Sequence, residues 1–365
     1  MNLGSGPDGC GAGSCRAKPR PTTSPETTVS SPSSSPSAHT ADTASPLGKS
    51  APFHGAVDVH AHYITPSLRE AMIAAGHDHP DGMPAIPDWT ARDALALMDA
   101  TGVAVSMLSV SSPGVHLGDT ARAVALARTV NEEGADLVAA HPDRFGLFAS
   151  LPLPDVEAAV AEVAYAFDTL RADGIVLLTN YAGTYVGDPA FEPLMAELDR
   201  RRAVVLLHPT SPAGWRDTCL GRPRPMIEFP FDTTRAVAQL VLNKVLTNHP
   251  DIRFIIPHAG AALPVLADRV AAFAFLETDP PIDVVNALRT LHYDVAGLAL
   301  PRALPALLEL VGAERLLYGS DYPFTADWVV EGLAATLVTH DFLPSDGKQA
   351  LLFENAARLF PRLSR

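Results

Sequence analysis

The chain is short of cysteine. Only Cys10, Cys15 and Cys219 occur among 365 residues, too few and too scattered for a disulfide framework or a thiolate zinc site. That scarcity fits a reducing compartment, the cytoplasm. Long apolar runs are missing too: none approaches the roughly 18 residues of a membrane span. Positive charge is in deficit, with 27 Lys and Arg against 41 Asp and Glu, and the formal net charge of −14 argues against a nucleic-acid surface. A small anionic substrate would therefore need local positive charge, from a metal ion or an arginine. No glycine-rich phosphate turn follows any early apolar run, which speaks against a dinucleotide-binding open sheet.

Large apolar residues are also scarce in residues 1–50, where Met1, Leu3, Val29 and Leu47 stand alone in a segment that is about half Ser, Thr and Pro. No core can form from such a composition, so a disordered tail is expected there, followed by one domain over residues 51–365. The segment lacks the charged start and apolar stretch of a secretory signal, and Gly9-Cys10 lacks the apolar approach of a lipid-attachment site.

What is present, from residue 51 onward, is an alternation of short apolar runs with longer amphipathic ones, the pattern of βαβ units and a parallel sheet. Eight strands are expected, at 57–62, 103–110, 145–151, 174–178, 203–208, 252–257, 291–296 and 315–320. Segments 88–101, 119–140, 155–172, 189–202, 232–248 and 260–275 carry apolar residues at helical spacing, several opening with Asp or Pro. Eight repeats over this length suit an α/β fold of the (β/α)8 barrel type.

In such a barrel the chemistry sits at the carboxyl ends of the strands. The first strand ends His60-Ala61-His62, and strand alternation sends both imidazoles to one face. The fifth ends at His208, the sixth runs into His258, and the eighth ends Gly319-Ser320-Asp321. His60, His62, His208 and Asp321 make a nitrogen-rich set with one hard oxygen, suited to Zn²⁺ or a similar first-row ion, with a position left for water or substrate. His258 would stand nearby as a proton donor or acceptor. Taken singly, His208 and His258 also read as buried histidines hydrogen-bonded to backbone, and Asp321 as a helix cap. Jointly, four unrelated strand ends each offering a metal-competent side chain, in a chain with 13 histidines, favour the metal reading.

The motifs HAH, LLHP, PHAGAALP and GSDYPF, in this order and spacing, resemble the amidohydrolase-related metal-dependent barrels, the group that includes aminocarboxymuconate-semialdehyde decarboxylase. The resemblance spans nearly all of residues 56–360. It implies a barrel holding one zinc, in some members manganese, on His60, His62, His208 and Asp321, with His258 moving the proton. It also implies a homodimer in which the arginine matched by Arg269 reaches a neighbouring subunit's site to meet the substrate carboxylate. A second carboxylate-binding arginine of the semialdehyde decarboxylase has no counterpart in the loop HDHPDGMPAIPDW, so a monocarboxylate is expected rather than a dicarboxylate. The segments SVSSPGVHLGD, LLTNYAGTYVGDPAF and EFPFDTTRAV are most similar to 6-methylsalicylate decarboxylases.

The resemblance thus implies a metal-dependent carboxy-lyase of a small aromatic or unsaturated acid, with a salicylate chelating the ion as the ring carbon is protonated. His258 is the expected proton donor and Asp321 its rival. Asn180, Tyr181, Trp215 and Phe324, on loops after the fourth, fifth and eighth strands, are expected to line the pocket, ordinary loop packing being the other reading. The same residues would also serve hydrolysis of a lactone or amide, and the product distinguishes the two.

Overall fold

The computed structural model describes residues 51–364; the expected disordered tail over residues 1–50 lies outside the described residues. Eight parallel strands form one sheet in sequence order: β1 (Ala56–His62), β2 (Val103–Ser109), β3 (Phe145–Ser150), β4 (Gly174–Leu178), β5 (Val204–His208), β6 (Arg253–Ile256), β7 (His292–Asp294) and β8 (Leu316–Leu317). The ring closes between β1 and the end of β8, where Val59 N donates to Tyr318 O at 2.9 Å, Asp321 N to His60 O at 2.7 Å and His62 N to Tyr322 O at 2.8 Å. This is a (β/α)8 barrel. No helix among the described residues is long and apolar enough to cross a membrane.

The outer helices are α1 (Ala91–Thr101), α2 (Thr120–Ala140), α3 (Val156–Asp168), α4 (Glu192–Arg200), α5 (Glu228–Leu242), α6 (Leu263–Glu277), α7 (Ala303–Leu308) and α8 (Asp327–Thr339). The Thr90, Asp119 and Asp155 side chains accept from the first-turn N–H groups of α1, α2 and α3, which is why those helices start where the polar residues predict. Gly102 ends α1 at φ 79°, and a Cβ there would stand 2.0 Å from the Phe53 carbonyl oxygen.

The segment expected as a helix over 232–248 is divided. α5 starts earlier, at Glu228, and ends at Leu242; Lys244 at φ 61° then breaks the run before a single turn, Val245–Asn248. Helices α7 and α8, and a helix over Pro66–Ala74, escape the periodicity. α7 has only six residues, and the apolar residues of α8 are spread around its circumference.

Two packed layers position the site. Val57, Val59, Met107, Phe148, Leu206, Ile255 and Leu317 fill the barrel interior, and Leu359 and Phe360 join them from the C-terminal segment. Asn355 fixes that segment beneath β8, its Nδ2 donating to the carbonyls of Ala313 and Leu316 at 2.8 Å. A larger shell, including Leu177, Leu207, Leu240 and Leu304, joins the strands to the helices. With one end filled by side chains, the strand carboxyl ends and their loops are left to form a cavity.

Candidate active site

The site begins with a shift of phase in β1. Val57 and Val59 point into the barrel, so strict alternation would turn His60 and His62 outward. The pairing of β1 with β2 slips by one residue between Asp58 and Ala61, and this bulge brings both imidazoles onto the interior face. Asp58 secures the distortion, its Oδ1 accepting from His60 N and Ser320 N at 3.0 Å. His208 needs no such device, because it continues the inward phase of Val204 and Leu206 on β5.

The donor atoms of His60, His62, His208 and Asp321 all lie within 4.8 Å of one another, and the three histidines are buried. Their outer nitrogens settle the tautomers. His60 Nδ1 faces the Asp294 carboxylate at 2.9 Å and His208 Nδ1 faces the Pro209 carbonyl at 2.7 Å, both pure acceptors. His62 Nδ1 lies 2.9 Å from Ser109 Oγ, whose own proton is directed to the Ala61 carbonyl. Each Nδ1 therefore donates, and each Nε2 presents a lone pair to the centre.

That leaves acceptors facing acceptors. His62 Nε2 stands 3.1 Å and His60 Nε2 3.5 Å from Asp321 Oδ1, and the buried His60 Nε2 has no hydrogen-bond partner. Such a cluster requires a cation at its centre, either a proton or a metal ion. The residues present fit a divalent metal: three imidazole lone pairs and a carboxylate oxygen converge, each held from behind.

The electrostatics point the same way. Burial, then the charge of His60, holds the His62 pKa below its ordinary value. His208 is pushed well below by burial and by the His62 and His60 charges. At His60 burial acts in the same sense, but the Asp294 charge and hydrogen bond overcome it and raise the pKa to about 9. Burial would raise Asp321, yet the close approach of His258 and His62 and the charge of His60 hold its carboxyl well below the usual range. Asp321, His62 and His208 are thus ready to ligate without first losing protons, whereas His60 has a proton to give up to a metal.

The sequence model of the amidohydrolase family matches residues 57–362. The chain belongs to the amidohydrolase family. Among curated proteins it is 36% identical over 318 residues to a 6-methylsalicylic acid decarboxylase of Penicillium expansum, covering 84% of this chain and 96% of that protein. A 6-methylsalicylic acid decarboxylase of Aspergillus aculeatus is 37% identical over 326 residues, covering 85% and 97%. Among solved structures, an amidohydrolase II crystal structure is 38% identical with a TM-score of 0.81, covering 84% of this chain and all of that one.

In this amidohydrolase, the cluster opens into a cavity of about 560 Å³ to which His208, His258, Asp321 and Phe324 contribute. Its other walls are largely apolar, with Met83, Met226, Phe229 and Leu298 among them, and no Lys or Arg among the described residues lines it. His258 stands on a tight turn at φ 56°, with Nε2 3.6 Å from Asp321 Oδ2.

Arg269 is elsewhere. It is exposed on α6, its guanidinium over the ring of Phe273 at 5.5 Å. Asn180, Tyr181 and Trp215 line a second, adjacent cavity of about 370 Å³. Ser112, on the wall of the first cavity, bonds Thr210, on the wall of the second, at 2.7 Å. Tyr181 is itself buried with its hydroxyl bonded to Leu178 N, and Asn180 is tied to Asp232 at 2.9 Å.

Sequence reasoning passed over three supporting residues. Asp294 and Ser109 end β7 and β2, but neither carries a metal-site signal by itself, and Asp58 lies inside β1, where the rule of strand ends does not reach. The apolar wall carried no signal, since Met83, on a loop, and Met226, at the end of a short 3-10 turn, lie far apart in sequence.

Proposed function

We propose that the chain is a metal-dependent, non-oxidative decarboxylase of a small aromatic carboxylic acid, a salicylate of the 6-methylsalicylate type. The observation that carries this reading is the convergence of three Nε2 lone pairs and Asp321 at the floor of a largely apolar cavity, with His258 beside them. The names of the two fungal relatives support the substrate class. Zinc is the ion we propose, since three imidazoles and one carboxylate form its preferred donor set; metal analysis of the purified protein separates it from manganese. When bound by His60, His62, His208 and Asp321, the ion would supply positive charge to an anionic aromatic acid.

The chain's own residues then carry the proton and the desolvation. His258 Nε2 faces the Asp321 carboxylate from the cavity side and is partly exposed, so it can exchange protons with solvent. Its proton passes to the ring carbon bearing the carboxylate; the bond to the carboxylate breaks, its electron pair restores the aromatic ring, and carbon dioxide leaves. Met83, Met226, Phe229 and Leu298 surround the ring with apolar surface, which favours loss of a charged group as a neutral molecule.

A homodimer belongs to the same proposal. Arg269 of the partner subunit meets the substrate carboxylate, which accounts for a cavity lined by no Lys or Arg among the described residues. A reducing compartment, the cytoplasm, is the proposed location. The test is carbon dioxide release from a panel of substituted salicylates by metal-loaded protein. A ring-opened acid or free amine from lactone and amide substrates, with no carbon dioxide from any salicylate, would replace this reading with a hydrolase.

A further inference from the structure

Asp294, at the end of β7, is fully buried and divides its two oxygens between two parts of the site. Oδ2 lies 2.9 Å from His60 Nδ1. Oδ1 accepts from the backbone N–H of His258 and of Ala296, each at 3.0 Å. The turn receiving the first of these bonds is costly: His258, Ala259 and Ala261 all have φ between 53° and 56°, a region that non-glycine residues rarely adopt. Behind this carboxylate the packing admits nothing larger than glycine. A Cβ at Gly319 would stand 2.8 Å from His60 Cβ and 3.3 Å from Asp294 Cγ.

We infer that Asp294 is the positioning residue of the site, one carboxylate that both fixes the metal-ligating tautomer of His60 and anchors the strained turn presenting His258. The inference rests on the proposed metal function. Its physical content is that the two tasks fall on different oxygens and can be separated by substitution. In Asp294→Asn the two backbone N–H donors select the amide oxygen, so the amide NH₂ is turned toward His60 Nδ1. Two donors then face each other, and His60 is relieved only by moving its proton to Nε2, which points at the metal position. The His258 turn keeps its acceptor. In Asp294→Ala both tasks are lost.

The test measures metal affinity of apoprotein by competition with a chromophoric chelator, the visible spectrum of the Co²⁺-loaded protein, and turnover against metal concentration. Asp294→Asn is expected to bind metal about 10- to 100-fold more weakly than wild type, the usual effect of removing such a partner. It should recover much of its turnover at saturating metal. Asp294→Ala should bind as weakly and stay slow at saturation, because the His258 turn has lost its acceptor. Gly319→Ala, which crowds His60 and Asp294 without touching the metal position, should alter the Co²⁺ spectrum and gives a second route should Asp294→Ala not fold. Wild-type affinity and an unchanged Co²⁺ spectrum in Asp294→Asn would overturn the inference while leaving the metal function standing. Failure of the wild type itself to take up metal would overturn both.

Discussion

His258 and Asp321 meet edge to edge, Nε2 to Oδ2 at 3.6 Å, while the other oxygen of Asp321 faces His60 and His62. One carboxylate thus has a metal-facing side and a proton-facing side, and His258 lies on the second.

From that division, His258→Ala should keep the metal and lose about 10²- to 10⁴-fold in turnover, the range expected for removal of a general acid. Metal content by elemental analysis and carbon dioxide release together check it. Loss of metal would make His258 a ligand instead.

His62→Ala and His208→Ala should behave in the opposite order. Each removes a converging Nε2 from the four-donor set, so metal content falls first and activity follows. The variants should also lose the rise in melting temperature that added metal gives the wild type, since an ion that binds only the folded state stabilises it. A full metal-induced shift in either variant would remove that residue from the ligand set.

A stability prediction concerns Asp232, buried on α5 and bonded by Thr179 Oγ1, by Asn180 Nδ2 at 2.9 Å and by Tyr185 OH at 2.7 Å. It holds the loop after β4 against the barrel. Asp232→Ala would leave these donors unpaired and should cost about 2–4 kcal/mol, measured by denaturant unfolding. A loss within a few tenths of a kcal/mol would mean that the loop finds other partners.

His292, at the start of β7, supplies a pH dependence. Burial first, then the charges of Arg315 and Arg253, lowers its pKa to about 4, and its Nδ1 has no partner. With an unfolded value near 6.5, the unfolded chain binds the extra proton between those limits. Stability contributed by neutral His292 is therefore complete above about pH 6.5 and falls as pH falls toward 4, by about 1–3 kcal/mol. Melting temperature against pH should be flatter in His292→Gln across that window. Parallel curves for the two proteins would contradict the assignment.

The barrel and the four residues of its candidate metal cluster were legible in the sequence because both obey short rules. Apolar runs alternate with amphipathic ones, and a metal-competent residue stands at four strand ends. The phase shift in β1 was not legible: HxH correctly puts His60 and His62 on one face, but only the bulge against β2 makes that the interior face. Asp294 escaped because a single strand-end Asp reads as a turn residue until the fold sets it against His60, 234 positions away. The loops were least legible. Asn180, Tyr181 and Trp215 border the neighbouring cavity, whereas the cavity wall at the cluster is assembled from residues as distant as Met83 and Leu298.

The measurement that bears most directly on the account is carbon dioxide release from 6-methylsalicylate by the full chain, loaded with zinc, beside the same protein stripped by a chelator. The loaded protein should give stoichiometric carbon dioxide and the decarboxylated phenol, the stripped protein none, and activity should return when metal is restored. Turnover that survives complete removal of metal would contradict the account, as would a metal-loaded protein inert toward every salicylate offered.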